Sequence, residues 1–419
     1  MARAGASRSR DHVTQMPDST AYPEIAALEA RGDVPELIGE VRAAVEADPA
    51  AALADPVVQA WVARRWTALV VQRAALDEQA VAIARRRAHR LDPLEAVARR
   101  FVTALQSGAP WREQPEWRHR ALSSTTVVLC PGLLGALMPM TAFASTAPLL
   151  EREFGVRVIV ADSHPAAPCT ANARDILRAV TRGEGFALDG TELRPGAVTP
   201  GDVVLIGYSK GTPDALTMIA EHPEAAGRVR VMVSWAGAAG GSYLADTAAP
   251  LLAHLEVDDF LTDTGGRVLR RFVPAKNLNR ITRRADEFDV PGAIDDLRTD
   301  VRRRFLEDHR ALLDDLGVPF LSVAGAVQVR DVPYFQALAA LQVARHERLN
   351  DMQVTQAHTR VPVAASAHLG TLRAHHWDMA YDAFPQPLTM RSRRLSHPLP
   401  RTAALGATLA LLAEVGLIN

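Results

Sequence analysis

From Tyr22 to Gly108 the apolar residues recur at helical spacing. Val34, Leu37, Ile38 and Val41 fall on one helical face, and Val58, Trp61, Val62 and Leu69 share another. Asp92-Pro93 supplies a cap and a first-turn proline for a helix carrying Leu94, Val97, Phe101 and Leu105, which Gly108 can end. Residues 109–120, with Pro110, Trp111, Pro115 and Trp117, read as a packed connection. After Ala121 the period changes. Short β-rich runs at 125–129, 156–160, 203–206, 229–233, 320–324 and 361–364 alternate with helical stretches. Most runs have no polar alternation, so the strands they predict are covered on both faces, as in parallel βαβ units. Between Thr247 and Leu316 lie charged amphipathic helices and no convincing strand, which predicts a helical cap inserted into the sheet domain. The expected organisation is a disordered tail over 1–20, a helical N-terminal region over 21–120 and an α/β domain over 121–419, its cap near 247–316.

Composition narrows the class. At 419 residues and 48% apolar, the chain is neither disordered nor fibrous. A net charge of -1 gives no field to hold a polyanion, so nucleic acid is not an expected partner. Basic residues are nearly all Arg; the lysines are Lys210 and Lys276. Arg85 to Arg87 and Arg99-Arg100 read as solvated faces. Cys130 and Cys169 make neither a disulfide framework nor a zinc motif and are expected as buried thiols. Residues 121–150 carry no charge and are long enough to cross a bilayer. Pro131, Gly132, Gly135 and Pro139 break that stretch into a strand, a loop and a helix start, so no transmembrane segment is expected. The N-terminus has Arg3, Arg8 and Arg10 but no apolar signal core, and the expected location is cytoplasmic. No pattern speaks to oligomeric state.

The chemistry centres on Val203-Val204-Leu205-Ile206-Gly207-Tyr208-Ser209-Lys210-Gly211, followed by the helical 215–221. A strand that reverses directly into a helix strains its turn residue, and only glycine on either side lets the chain pass that closely. Gly207 and Gly211 therefore bracket Ser209 as an exposed nucleophile at the positive end of the next helix. This G-x-S-x-G between strand and helix resembles the α/β-hydrolase superfamily, in particular bacterial lipases and esterases. The resemblance implies a mostly parallel sheet with helices on both faces.

The resemblance also implies an acid and then a histidine downstream of the serine. In Arg373-Ala374-His375-His376-Trp377-Asp378, after the last predicted strand and a loop containing Gly370, the His-bulky-Asp order favours His376 as base, with His375 one residue away as the rival. His309 and His346 sit in charged helices and read as surface residues. Asn350-Asp351-Met352-Gln353-Val354 resembles the Asn-Asp-x-x-Val turn of bacterial lipases and favours Asp351 as the acid; Asp331, nearer the preceding strand, is the rival. The oxyanion donors would be the Lys210 N–H and the Leu133 N–H in Cys130-Pro131-Gly132-Leu133-Leu134-Gly135, where Pro131 stands for the usual His. The Lys210 side chain is expected to reach solvent. Tyr208, Leu134, Phe260 and Leu261 are the candidate substrate contacts. The Gly-rich 236–242 loop and Asp162-Ser163-His164 occupy strand ends where ligands bind. P-loop, dinucleotide and zinc motifs are missing, so neither cofactor nor metal is expected. The implied activity is hydrolysis of small-molecule or lipid acyl esters through an acyl-enzyme. Alternatives with the same triad are a thioesterase, an acyltransferase or a polyester depolymerase, and in another class a binding protein that lost catalysis.

Overall fold

The computed structural model describes residues 20–86, 88–103, 112, 114–117, 120–133, 135, 140–252, 284–382 and 399–419. The apolar runs become β1 (Thr125–Cys130), β2 (Arg157–Val160), β5 (Asp202–Tyr208), β6 (Val229–Trp235) and β7 (Phe320–Gly325), joined by β3 (Gly185–Phe186), β4 (Glu192–Leu193) and β8 (Ser366–Leu372). They form one sheet in the order β4-β3-β2-β1-β5-β6-β7-β8, parallel except for the short β3 and β4. The chain runs outward from β1 to β2 and later returns on the other side of β1 as β5. The carboxyl ends of β1 and β5 therefore part at a topological switch point, where open α/β sheets bind ligands. Cys130 faces Gly207 there in register, so the loops after the two strands start side by side.

The strands differ from the sequence expectation in two places. The last strand lies at 366–372 and not at 361–364, and Gly370 is inside it. Pro362 has no N–H to give a ladder, while Ser366 to Leu372 pairs with β7 from Phe320 onward. Val361 and Val363 are still buried, as core contacts from an irregular segment. The β3-β4 hairpin pairs two residues from each strand, too few to leave a periodic signal.

The N-terminal helices α1 (Pro23–Arg31), α2 (Val34–Ala47), α3 (Pro49–Ala54), α4 (Pro56–Ala75), α5 (Glu78–Arg85) and α6 (Pro93–Phe101) begin repeatedly at Asp-Pro. Asp48, Asp55 and Asp92 each accept a first-turn N–H, and the proline that follows needs none. Trp61, Trp66 and Leu69 of α4 share one core with Val204, Val233 and Leu369 of the sheet and with Leu409 of the helix Arg401–Glu414. Gly370 of β8 makes this close packing possible, since a Cβ there would sit 2.6 Å from the Trp66 ring. After α6 the backbone also pairs with the sheet edge, Thr103 N–H to Thr371 and Arg373 N–H to Phe101. Arg65, with 0% side-chain exposure, grips Glu414 through two 2.6 Å bonds. Glu414→Ala should cost about 3 kcal/mol, because it strands a buried guanidinium. A lowered urea midpoint at unchanged slope would register it.

On the opposite side of the sheet lie α8 (Cys169–Arg182) and α9 (Gly211–Glu221), with α7 (Ala147–Phe154) preceding β2 and α10 (Pro223–Ala226) preceding β6. In the expected cap region, α11 (Tyr243–Leu252) is followed by the helices Val290–Asp295 and Thr299–Asp315. The last of these buries Leu306 and Leu313 in the same core as Leu216 and Ile219 of α9. Phe260 and Leu261 lie outside the described residues, as does Leu134. Among the described residues no helix is long and apolar enough to cross a membrane. Both cysteines are buried and unbridged, and burial pushes their thiols up.

Candidate active site

Ser209 sits between β5 and α9 with φ of +54°, in the left-handed region that non-glycine residues rarely occupy. The flanking glycines explain how the turn closes. A Cβ on Gly207 would lie 2.6 Å from the Thr212 Cα, and one on Gly211 would lie 2.0 Å from the Cys130 carbonyl oxygen. A Cβ on Gly132 would meet the Ser209 Cβ at 2.7 Å, so the loop after β1 runs directly against the serine. The Leu133 and Lys210 N–H groups enter no backbone hydrogen bond among the described residues. The two residues belong to the loops after β1 and β5, and Leu133 lines the same cavity as Ser209.

Asp351 and His376 come together from the loops after β7 and β8. The imidazole Nδ1 lies 2.7 Å from Asp351 Oδ2, and the His376 N–H donates to the Asp351 carbonyl at 2.8 Å. The turn around Asp351 is built to aim it. Met352 takes φ of +81°, which points the Gln353 and Val354 N–H groups back at Asp351 Oδ1, at 3.0 and 2.7 Å. Tyr208 stacks on the His376 ring at 5.0 Å, and its hydroxyl donates to the His376 carbonyl at 3.0 Å. Ring tilt and tautomer are therefore fixed from two sides. Nε2 is buried and has no hydrogen-bond partner among the described residues. Such an imidazole can accept a proton at Nε2, and the resulting cation would lie against a carboxylate.

The rivals are occupied differently. His375 is fully buried, its Nδ1 accepts the Asp378 N–H at 3.2 Å, and it caps the turn His376–Met379. Asp331 is exposed in the turn Val329–Asp331. His368, inside β8, bonds Ser322 at 2.9 Å; burial, with Arg360 adding, pushes its pKa down to about 3. Lys210 departs from expectation. Its side chain does not reach solvent but is buried, with Nζ 2.6 Å from Asp214 Oδ1. Burial works against the ammonium, yet Asp214, with Cys169 and Asp296 adding, outweighs it and holds Lys210 above its ordinary value.

Ser209 and His376 open onto one cavity of about 270 Å³, which Leu133 and Tyr208 also line. Its far wall comes from Ala238 of the Gly-rich loop, Leu244, Ala245 and Ala248 of α11, and Leu297. Among the described residues no Lys, Arg, Asp or Glu lines it. The α11 wall depends on contacts distant in the chain and leaves no local signal, whereas the Gln353 and Val354 amides belong to the Asn350 to Val354 turn itself. Asp162 and His164 do not line this cavity, and Ser163 lines a second, smaller one behind Gly132.

The sequence matches no protein-family model and no curated protein. Among solved structures the chain is similar to the metagenomic carboxyl esterase MGS0156, at 22% identity over 75% of this chain and 83% of that one, with a TM-score of 0.57. Looser likenesses are Staphylococcus hyicus lipase, at 11% identity over 70% and 96% with a TM-score of 0.43, and mature Bacillus licheniformis lipase BlEst2, at 16% over 63% and 89% with 0.40. The eight-stranded sheet, its switch point and the likeness to the esterase agree: the chain has the α/β-hydrolase fold.

Proposed function

We propose that the chain hydrolyses carboxylic esters through Ser209 as nucleophile, His376 as general base and Asp351 as the carboxylate that orients it. The observation that carries this reading is the 2.7 Å bond from His376 Nδ1 to Asp351, with Nε2, unpartnered among the described residues, buried at the cavity that Ser209 also lines. Ser209 Oγ attacks the ester carbonyl while His376 takes its proton. The oxyanion accepts from the Lys210 and Leu133 N–H groups. Collapse breaks the bond to the alcohol, which leaves with the proton from His376. Water, deprotonated by the same imidazole, then releases the acid and regenerates the serine.

The cavity supports an uncharged acyl or alcohol group of modest size. Its volume is about twice the roughly 150 Å³ apolar cavity that holds benzene, and among the described residues no Lys, Arg, Asp or Glu lines it to receive a carboxylate or phosphate. A panel of p-nitrophenyl esters of increasing chain length, run beside acyl-CoA thioesters, tests this. Turnover should peak at short to medium chains and exceed thioester turnover. Ala245→Phe, which fills the wall, should shift the peak to shorter chains by about tenfold in relative kcat/KM, within the range one pocket contact commands. Faster cleavage of the thioesters would move the enzyme to the thioesterase class.

A further inference from the structure

Lys210 has two ends in two environments. Its N–H faces the reaction in the reading above, whereas its ammonium lies in the core, its side chain 2% exposed against 1% for Asp214. Asp214 is itself anchored: Oδ2 accepts from Asn172 Nδ2 at 2.9 Å, and Asn172 bonds both the His164 N–H (2.8 Å) and the His164 carbonyl (3.2 Å). The ammonium is thus tied through α9 and α8 to the loop after β2. An exposed pair at this i, i+4 spacing would contribute only a few tenths of a kcal/mol. Here removing the carboxylate leaves an uncompensated charge in the core. To reach water, the ammonium would have to drag its own peptide, one residue from a serine already held at φ of +54° between two glycines without clearance.

We infer that Asp214 is a positioning residue: by holding the Lys210 ammonium in the core, it fixes the Lys210 N–H where the oxyanion forms. This rests on the proposed role of Lys210 as an oxyanion donor. The other groups that interact electrostatically with this pair include the Cys130 thiol of β1, the Cys169 thiol of α8, the Asp296 carboxylate after the helix Val290–Asp295, and the Arg302 guanidinium of the helix Thr299–Asp315. Asp296 is engaged by the Cys169 N–H at 2.5 Å, and Arg302 Nε donates to the Ala239 carbonyl at 3.2 Å. Neither takes the place of Asp214 as the carboxylate on Nζ.

The test is kcat and KM for p-nitrophenyl butyrate, normalised to the fraction of protein labelled by a fluorophosphonate. Asp214→Asn should lower kcat by about 30-fold, short of the roughly 10²–10³ lost with a whole donor. KM should stay within about twofold, because the oxyanion exists only after attack. Without the Asp214 carboxylate, burial is less opposed, so the Lys210 proton leaves at lower pH than in the wild type and the neutral amine can stay in the core. The variant's kcat should therefore gain on the wild type as the pH is raised. Lys210→Met/Asp214→Asn, which removes the stranded charge, should recover about tenfold of the loss, a coupling that independent sites do not produce. Unchanged kcat per labelled site in Asp214→Asn, or a double variant as slow as the single with no alkaline gain, overturns the inference. If Asp214→Asn does not fold, a double variant that folds with slow turnover overturns it as well. A wild-type chain that ignores the fluorophosphonate overturns the parent reading instead.

Discussion

Ser209→Ala is expected to reduce ester hydrolysis by on the order of 10³-fold or more while the protein stays folded. The substitution removes one oxygen from a half-buried position and leaves the backbone nearly untouched. The strained turn survives because its closure depends on Gly207, Gly211 and the Thr212 hydroxyl, which donates to the Gly207 carbonyl at 2.7 Å. The loss is large because the nucleophile and its base act as a unit. In the proposed reading the variant lacks the hydroxyl that His376 deprotonates, and the Lys210 and Leu133 N–H groups have no tetrahedral centre to bind. What remains is the small effect of holding an ester near two N–H groups. Steady-state turnover alongside circular dichroism melting separates loss of chemistry from loss of fold. Retained turnover in the purified variant would sink the serine-hydrolase reading.

How much of this was legible in the sequence depends on how local each signal is. The turn at Ser209 was legible because strand, strained residue, flanking glycines and helix are contiguous, so sterics alone dictate their order. Asp351 was legible for a similar reason: the Asn350 to Val354 turn that aims it is five residues long and carries its own hydrogen bonds. The burial of Lys210 was not. Exposure is decided by α8 and the helix 299–315 packing over α9, and the residue read alone is an ordinary surface cation. Asp214 four residues on is the one clue, since that spacing places a carboxylate beside the ammonium on a helix. The last strand was displaced because Val361 to Ala364 reads as β-rich by composition, while Pro362 forbids the ladder. Ser366 to Leu372 wins by pairing with β7, with Gly370 there to admit Trp66. His375 and His376 are both buried, and only the direction each ring takes, set by Asp378 or by Asp351, distinguishes them.

Asp351→Asn should lower kcat by about 10⁴, the loss that follows when a triad carboxylate becomes an amide. The geometry gives the reason. Asp351 Oδ1 is committed to the Gln353 and Val354 N–H groups, so an amide must keep its oxygen there and turn its NH₂ toward His376 Nδ1. Nδ1 is then forced to accept, the imidazole proton moves to Nε2, and the base has no lone pair to offer Ser209. Thermal stability should change little, because the turn keeps its backbone bonds. Asp331→Asn, at an exposed position in its turn, should leave both properties nearly unchanged. His375→Ala should give the opposite split. It removes a fully buried cap from the turn His376–Met379, costing about 1–2 kcal/mol, yet it leaves the His376 to Asp351 bond in place. His376→Ala should abolish turnover. The four variants thus separate into two that lose chemistry, one that loses stability and one that loses neither. A dead His375 variant beside an active His376 variant would move the base by one residue, and a dead Asp331 variant would move the acid to the earlier loop.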